Sequence, residues 1–210
     1  MKTIKLHKQE HDVKIGKDCP YYEPNIKEDC LLEVDGEVVG FYINDVSKYS
    51  NKLSQLISIS NKEFRSDNVP KQEMSRGPQG TKADKLQRQQ EGKNLVTQFS
   101  TILGSVAPKP HMRRPYPTIS SVHRENKSNT FIKAMWGASV EAEKIIKQLT
   151  PEIYKTQLEL FKDVDKKWRF GNMFTSSISN FNIAAAYHRD TGNIVGAVNV
   201  ILTKRNNSNG

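Results

Sequence analysis

The chain has 210 residues, a formal net charge of +9 and 36% hydrophobic residues. This supplies enough apolar side chain for one folded core, and argues against both full disorder and two large domains. The longest apolar stretches fall well short of the roughly 20 residues of a membrane helix, and the polar N-terminus lacks the apolar stretch of a signal peptide. We therefore expect a soluble, cytoplasmic protein with no membrane partner.

The basic charge predicts a polyanionic partner. Lys and Arg total 32 against 23 Asp and Glu, a surplus that favours nucleic acid without separating DNA from RNA or from an acidic membrane face. A basic surface that serves only solubility remains the alternative. The two cysteines, Cys19 and Cys30, lack C-x-x-C spacing and are too few for a disulfide framework, so we expect reduced thiols.

The first third of the chain predicts a hairpin, a helix and a loop. Residues 31–43 (LLEVDGEVVGFYI) are two β-rich runs around Asp35-Gly36, a preferred type I′ turn pair. A short amphipathic helix is expected within residues 45–59, where leucine and isoleucine recur at helical spacing. Residues 61–93 are polar and contain a Gly-Pro-x-Gly run, which indicates a long loop or a poorly ordered insert.

The middle of the chain predicts extended backbone followed by two helices. Four prolines between residues 108 and 117 disfavour the α region. One helix is expected at 140–149 with Ser139 as its N-cap, and a second begins with Thr150 as N-cap and Pro151 at its first position. The second helix carries an apolar stripe expected to face the core: Tyr154, Leu158, Phe161 and Trp168.

The pattern changes to β-structure near the C-terminus. Residues 181–187 are an apolar run typical of a strand, 190–193 (DTGN) predict a turn, and 194–203 (IVGAVNVILT) predict a second strand rich in β-branched residues. Turn residues follow this strand directly. We therefore expect a sheet whose next strand is missing.

His188 and Asp190 stand at positions i and i+2 where the first of these strands meets the turn. Alternate side chains of an extended backbone share a face, so the imidazole and the carboxylate could bind one metal ion. They would supply two ligands of the 2-His-1-carboxylate triad that holds non-haem Fe(II). On the motif alone, a His and an Asp that cap a turn remain the alternative, because H-x-D also arises by chance.

The residues around this motif resemble a known family. Asn193 lies three residues after Asp190, and the following run ends in LTKR before a polar turn and Gly210. The segment YHRDTGNIVGAVNVILTKRNNSNG resembles the TET/JBP family of Fe(II)- and 2-oxoglutarate-dependent dioxygenases, which oxidise the 5-methyl group of cytosine or thymine in nucleic acid. The upstream WRFGNMFTSSISNFNIAAAY looks like the lead-in strand of that family, particularly of its compact viral and bacterial members.

The resemblance implies an α+β fold: a partial double-stranded β-helix, jelly-roll or cupin-like, with N-terminal helices and a hairpin. Residues 106–210 would be the N-terminal part of the dioxygenase core. We place the hairpin and helix region at 1–60 and a polar, partly flexible insert at 61–105.

The resemblance also implies roles for single residues. His188 and Asp190 would bind Fe(II), with 2-oxoglutarate as co-substrate, and Asn193 would contact the flipped target base in DNA. Three arginines of the proline-rich region are candidate contacts to phosphate or to the co-substrate, with ordinary solvated side chains as the alternative: Arg113, Arg114 and Arg124.

The sequence departs from the family in its distal ligands. In the family a second iron-binding His and an Arg for 2-oxoglutarate follow the H-x-D strand, whereas the other histidines of this chain all precede His188: His7, His11, His111 and His123. We therefore expect the front half of a dioxygenase, either truncated or completed by a second polypeptide that supplies the C-terminal half of the barrel. Residues 1–210 alone are expected to bind iron poorly. The alternative is a non-catalytic basic DNA-binding or protein-interaction module that retains an incomplete dioxygenase fold.

Overall fold

The computed structural model describes residues 1–7, 14–16, 23, 25–73, 99–108, 116–181, 188 and 194–204. Within these residues, helices and short strands form two small sheets packed with helices, so the predicted mixed α+β class is confirmed. The strands described here do not form a closed barrel. In the same part of the chain, no helix combines the length and apolarity needed to cross a membrane.

The predicted hairpin is confirmed and belongs to the first sheet. Its strands lie in the order β1-β2-β3: β1 Lys2–Lys5, β2 Cys30–Val34 and β3 Glu37–Tyr42. Asp35 and Gly36 have φ angles of 52° and 86°, as a type I′ turn requires. Cys30 is a buried free thiol, as expected, and Cys19 lies outside the described residues.

The predicted helix is confirmed as α1, Asn51–Arg65, with the Ser50 hydroxyl accepting a hydrogen bond from the Leu53 N–H at 3.1 Å. The prediction of loop from residue 61 is wrong for residues 61–65, which are helical. The reason is Phe64, which is buried in the core and continues the apolar face of the helix.

The second sheet is built around one strand. Its members are β4 Gln72–Glu73, β5 Phe99–Val106, β6 Thr118–Ile119 and β7 Ser176–Phe181. Each of the other three pairs antiparallel with β5. Residues 99–105, which we expected in a polar insert, therefore form most of the central strand of this sheet. Leu103 in β5 is fully buried in the core.

The helix predicted at 140–149 is longer than expected. It is α2, Asn129–Leu149, so the predicted start is wrong. Ser139 is not an N-cap: it lies inside the helix, and its hydroxyl donates to the Trp136 carbonyl at 2.7 Å. The buried residues Phe131, Ala134 and Ala138 extend the apolar face toward the N-terminus, which stabilises the additional turns.

The next helix, α3, runs Pro151–Phe161 and begins with proline as predicted. Thr150 does not cap it through its side chain, because its hydroxyl donates to the carbonyl of Ile146 in the preceding helix. The predicted stripe is confirmed at Phe161, which is buried, and wrong at Leu158, which is exposed while the neighbouring Gln157 is buried. Trp168 lies beyond the helix in a short 3-10 turn.

Helices α1 and α2 join the hairpin region to the rest of the chain. Leu53 packs with Ala138 and Ala142 in one apolar cluster. Beside it, the buried carboxylate of Glu141 accepts hydrogen bonds from the Ser50 hydroxyl at 3.0 Å and from the Lys144 ammonium at 2.8 Å. The bond from Lys144 lowers the pKa of Glu141. Residues before and after the predicted insert at 61–105 thus pack in one core.

The predicted strand at 194–203 is wrong. These residues join no ladder in the described structure, and they contain a turn with Gly196 at φ 84°. Val200 packs on the α1–α2 cluster, and the Val198 N–H donates to Gln157 Oε1 at 3.1 Å. Of the strand predicted at 181–187, Phe181 is the last residue of β7, and the remainder lies outside the described residues.

We expect Gly104→Ala to lower the free energy of unfolding by about 3 kcal/mol. Gly104 has φ 83°, and a Cβ there would lie 2.5 Å from the Thr175 carbonyl oxygen. Gly40→Ala in β3 is the matched control, since its Cβ would meet nothing within 4 Å. Chemical denaturation measures both, and equal stabilities of the two variants would contradict the prediction.

Candidate functional site

The strand that leads toward the H-x-D motif is β7, which pairs with β5 from Phe99↔Phe181 to Gly104↔Ser176. One face of this pair is covered, with Leu103 fully buried. The other face exposes Ile102 and Ile178, which lie directly opposite each other and are 38% and 62% exposed. The β5–β7 pair, whose strand β7 precedes the motif in the sequence, therefore presents one open, partly apolar face.

His188 follows the end of β7 by seven residues and is exposed, outside any strand. Asp190 and Asn193 lie outside the described residues, so their pairing with His188 at one pocket stays a prediction. Among the described side chains, no group of three or more His, Cys, Asp or Glu is placed to hold a metal ion. An exposed imidazole can be reached by an ion from solvent.

Of the three candidate arginines, the structure describes Arg124. It is the exposed last residue of the 3-10 turn Ser121–Arg124. Arg113 and Arg114 lie outside the described residues. An exposed guanidinium at the end of a short turn can contact a phosphate, whose oxygens match its donors, and the structure does not bring it to a co-substrate site.

His123, next to Arg124, has a structural contact. The Gly104 N–H donates to His123 Nε2 at 3.0 Å, which requires that nitrogen to be unprotonated. Partial burial lowers the pKa of His123 from its ordinary value of 6.5. The neutral imidazole thus holds the 3-10 turn of Arg124 against β5.

The sequence analysis did not single out Gln157, a buried polar residue of α3. It is 2% exposed, and its amide bonds the backbone of Met173 and Val198. A glutamine four residues after Ile153 and four before Phe161 has the spacing of a core position. That spacing is the signal that could have identified it.

Comparisons of the chain with protein-family models, with curated proteins and with solved structures found no match. The candidate function therefore rests on the residues of this chain and on the motif around His188.

We expect His123→Gln to reduce the loss of stability between pH 8 and pH 5. Because the pKa of His123 is lowered in the fold, its contribution is complete above pH 6.5 and is lost as the pH falls through the lower folded pKa. Denaturation midpoints measured across this range test the prediction, with His7→Gln in the exposed N-terminal segment as control. Parallel profiles for wild type and His123→Gln would contradict it.

Proposed function

We propose that the chain is part of an Fe(II)- and 2-oxoglutarate-dependent dioxygenase that oxidises the 5-methyl group of cytosine or thymine in DNA, on a partial double-stranded β-helix. The observation that carries the proposal is the sequence H-R-D-T-G-N, with its ligand and base-contact residues at family spacing, seven residues after Phe181 of a paired sheet strand. The open face of the β5–β7 pair supports it, because the first sheet of a sandwich needs such a face for the second.

The donor set fits Fe(II). A neutral imidazole from His188 and a carboxylate from Asp190 are two of the three ligands of a facial triad, which leaves positions open for co-substrate and oxygen. Iron with 2-oxoglutarate and dioxygen supplies the oxidising power that an unactivated methyl group requires. The task of the two side chains is to hold the ion at a fixed place beside the target base.

DNA is the proposed substrate because a 5-methylpyrimidine must leave the base stack before its methyl group can be reached. The side-chain amide of Asn193 both donates and accepts hydrogen bonds, which suits the edge of a flipped pyrimidine. The net charge of +9 favours backbone binding. Arg124 is exposed on the surface and can take part in it, together with Arg113 and Arg114.

We expect His188→Ala and Asp190→Ala each to weaken Fe(II) binding by at least about tenfold, because each removes one of the protein ligands. Anaerobic titration with Fe(II) and 2-oxoglutarate measures the affinity. The assay is run with and without a candidate second polypeptide that carries the distal His and Arg.

The matched controls are His7→Ala and Asp67→Ala, both exposed residues outside the proposed site. Equal iron affinity of all four variants would refute the ligand assignment. DNA binding without any iron binding by wild type, even with the second polypeptide present, would instead favour the non-catalytic module.

Asn193→Ala separates base recognition from metal binding. The change removes a base-edge contact and no metal ligand, so we expect iron affinity to be kept while base oxidation falls by roughly 5- to 150-fold, as losing a contact of about 1–3 kcal/mol implies. Nucleoside mass spectrometry of methylated DNA measures oxidation in the active assembly. Loss of iron together with activity would show that Asn193 has a different role.

A further inference from the structure

The solvent-facing side of α2 combines basic and aromatic side chains. Four exposed residues follow one another along it at helical spacing, and we call them the α2 stripe: Lys133, Trp136, Lys144 and Lys147. At 1.5 Å per residue, the stripe extends about 21 Å along the helix. The opposite side of α2 carries Ala138 and Ala142, which pack with Leu53 of α1. The packing of α2 on α1 therefore does not explain the composition of the stripe.

Trp136 is held in place while much of its surface stays in solvent. The residue is 42% exposed, and its ring contacts the buried ring of Phe170, with 5.4 Å between the centroids and 70° between the planes. Phe170 can contact only one face of the indole, so this contact leaves the other face uncovered. An exposed aromatic ring that is supported from one side provides a surface on which another planar ring can stack.

The stripe carries an excess of positive charge. Of the two acids in α2, Glu141 is buried and lies 2.8 Å from Lys144 Nζ and 3.3 Å from Lys52 Nζ of α1, so two ammonium groups share one carboxylate. The other acid, Glu143, accepts hydrogen bonds at its two carboxylate oxygens from the uncharged side chains of Tyr154 and Asn172, at 3.3 Å and 2.7 Å. The three lysines of the stripe and Lys52 thus exceed the two carboxylates, which favours an anionic partner.

We propose that the α2 stripe binds an unpaired DNA strand, with one base stacked on Trp136 and the flanking lysines in contact with the phosphates. A phosphate backbone matches the ammonium groups, and every base offers a flat face to an indole. An acidic peptide would match the lysines and leave the indole unused. A base within a duplex is already stacked between its neighbours, so the partner is a strand whose bases are free.

The proposal rests on the proposed function for the choice of DNA over RNA, and it goes beyond that function by assigning a binding surface. No iron ligand takes part in it. Strand binding can therefore be measured without iron, independently of oxidation.

The test titrates the full chain, without iron, against a labelled oligothymidylate of about 12 nucleotides and measures fluorescence anisotropy of the label. Trp136→Leu keeps an apolar side chain and removes the stacking surface. Trp168→Phe is the matched control, because Trp168 lies outside α2 in the 3-10 turn Lys166–Trp168. The control also leaves Trp136 as the one tryptophan of the sequence, so its intrinsic fluorescence reports on stacking.

We expect Trp136→Leu to weaken binding by roughly 5- to 150-fold, the range for loss of one base–aromatic stack, and Trp168→Phe to bind as wild type does. In Trp168→Phe, the bound strand should quench the fluorescence of Trp136. Equal affinities of the two variants, or unquenched Trp136 fluorescence in the bound protein, would overturn the proposal. The fluorescence measurement decides the question if Trp136→Leu does not fold.

Lys133→Gln tests the phosphate contacts. It should reduce the slope of log affinity against log salt by about 0.7, the contribution of one phosphate contact on a single strand. Lys62→Gln removes the same charge from an exposed position of α1, two residues from the buried Phe64 and therefore on the opposite side of that helix. An equal change of slope in both variants would contradict a role of the stripe.

Competitors identify the class of partner. Polyglutamate offers carboxylates without bases, and if it displaces the strand as well as unlabelled oligothymidylate does, the stripe binds acidic peptides and the proposal is overturned. Tighter binding of oligouridylate RNA than of oligodeoxyuridylate would overturn the choice of DNA. Failure of the proposed function gives a different result: an assembly that binds no iron removes the dioxygenase assignment and leaves strand binding by the stripe intact.

Discussion

The described sheet depends on the close approach of two backbones at Gly104. With φ at 83° and no space for a Cβ, Gly104 lets β5 pass against the Thr175 carbonyl, which accepts the Ser105 N–H at 2.9 Å. The other polar groups of Gly104 are also used: its N–H donates to His123, and its carbonyl accepts the Ser120 N–H at 2.9 Å. One glycine thus sets where β7 begins and where the turn of Arg124 lies.

Two contacts hold the described chain on either side of the H-x-D motif. β7, which precedes the motif in the sequence, pairs with β5, and the backbone groups of Met173 and Val198 are both bonded to the side chain of Gln157 on α3. A metal site made from residues close in sequence needs external support, because ligands held only by a loop are imprecisely placed.

Secondary structure was predicted correctly from the sequence where local chemistry determines it. Asp35-Gly36 specifies a turn with two positive φ angles, and Pro151 specifies a first helical position, and both predictions are confirmed. The predictions were wrong where tertiary packing determines the structure. Ser139 suits a cap and also a helix interior in which its hydroxyl bonds a carbonyl. In 194–203, Val200 packs on helices instead of pairing in a sheet, while Val195 and Ile201 are exposed.

The same distinction between local pattern and tertiary packing applies to the residues of the candidate site. The H-x-D motif and Asn193 were found because their spacing is local, and Arg124 because it is basic. The hydrogen-bond partners of Gln157, Met173 and Val198, could not be predicted from the sequence, because they are distant along the chain. The central position of β5 in its sheet was also not predicted, because β5 is rich in serine, threonine and glycine. Its position follows from its pairing with β7 and not from its composition.

The most direct test of the central claim is mass spectrometry of DNA carrying 5-methylcytosine or thymine, incubated with the chain, a second polypeptide that supplies the distal His and Arg, Fe(II), 2-oxoglutarate and ¹⁸O₂. A dioxygenase places one oxygen atom of O₂ in the hydroxymethyl product and the other in succinate. We predict labelled 5-hydroxymethylpyrimidine, with labelled succinate formed alongside it. Unmodified DNA in an assembly that binds both DNA and iron would contradict the account.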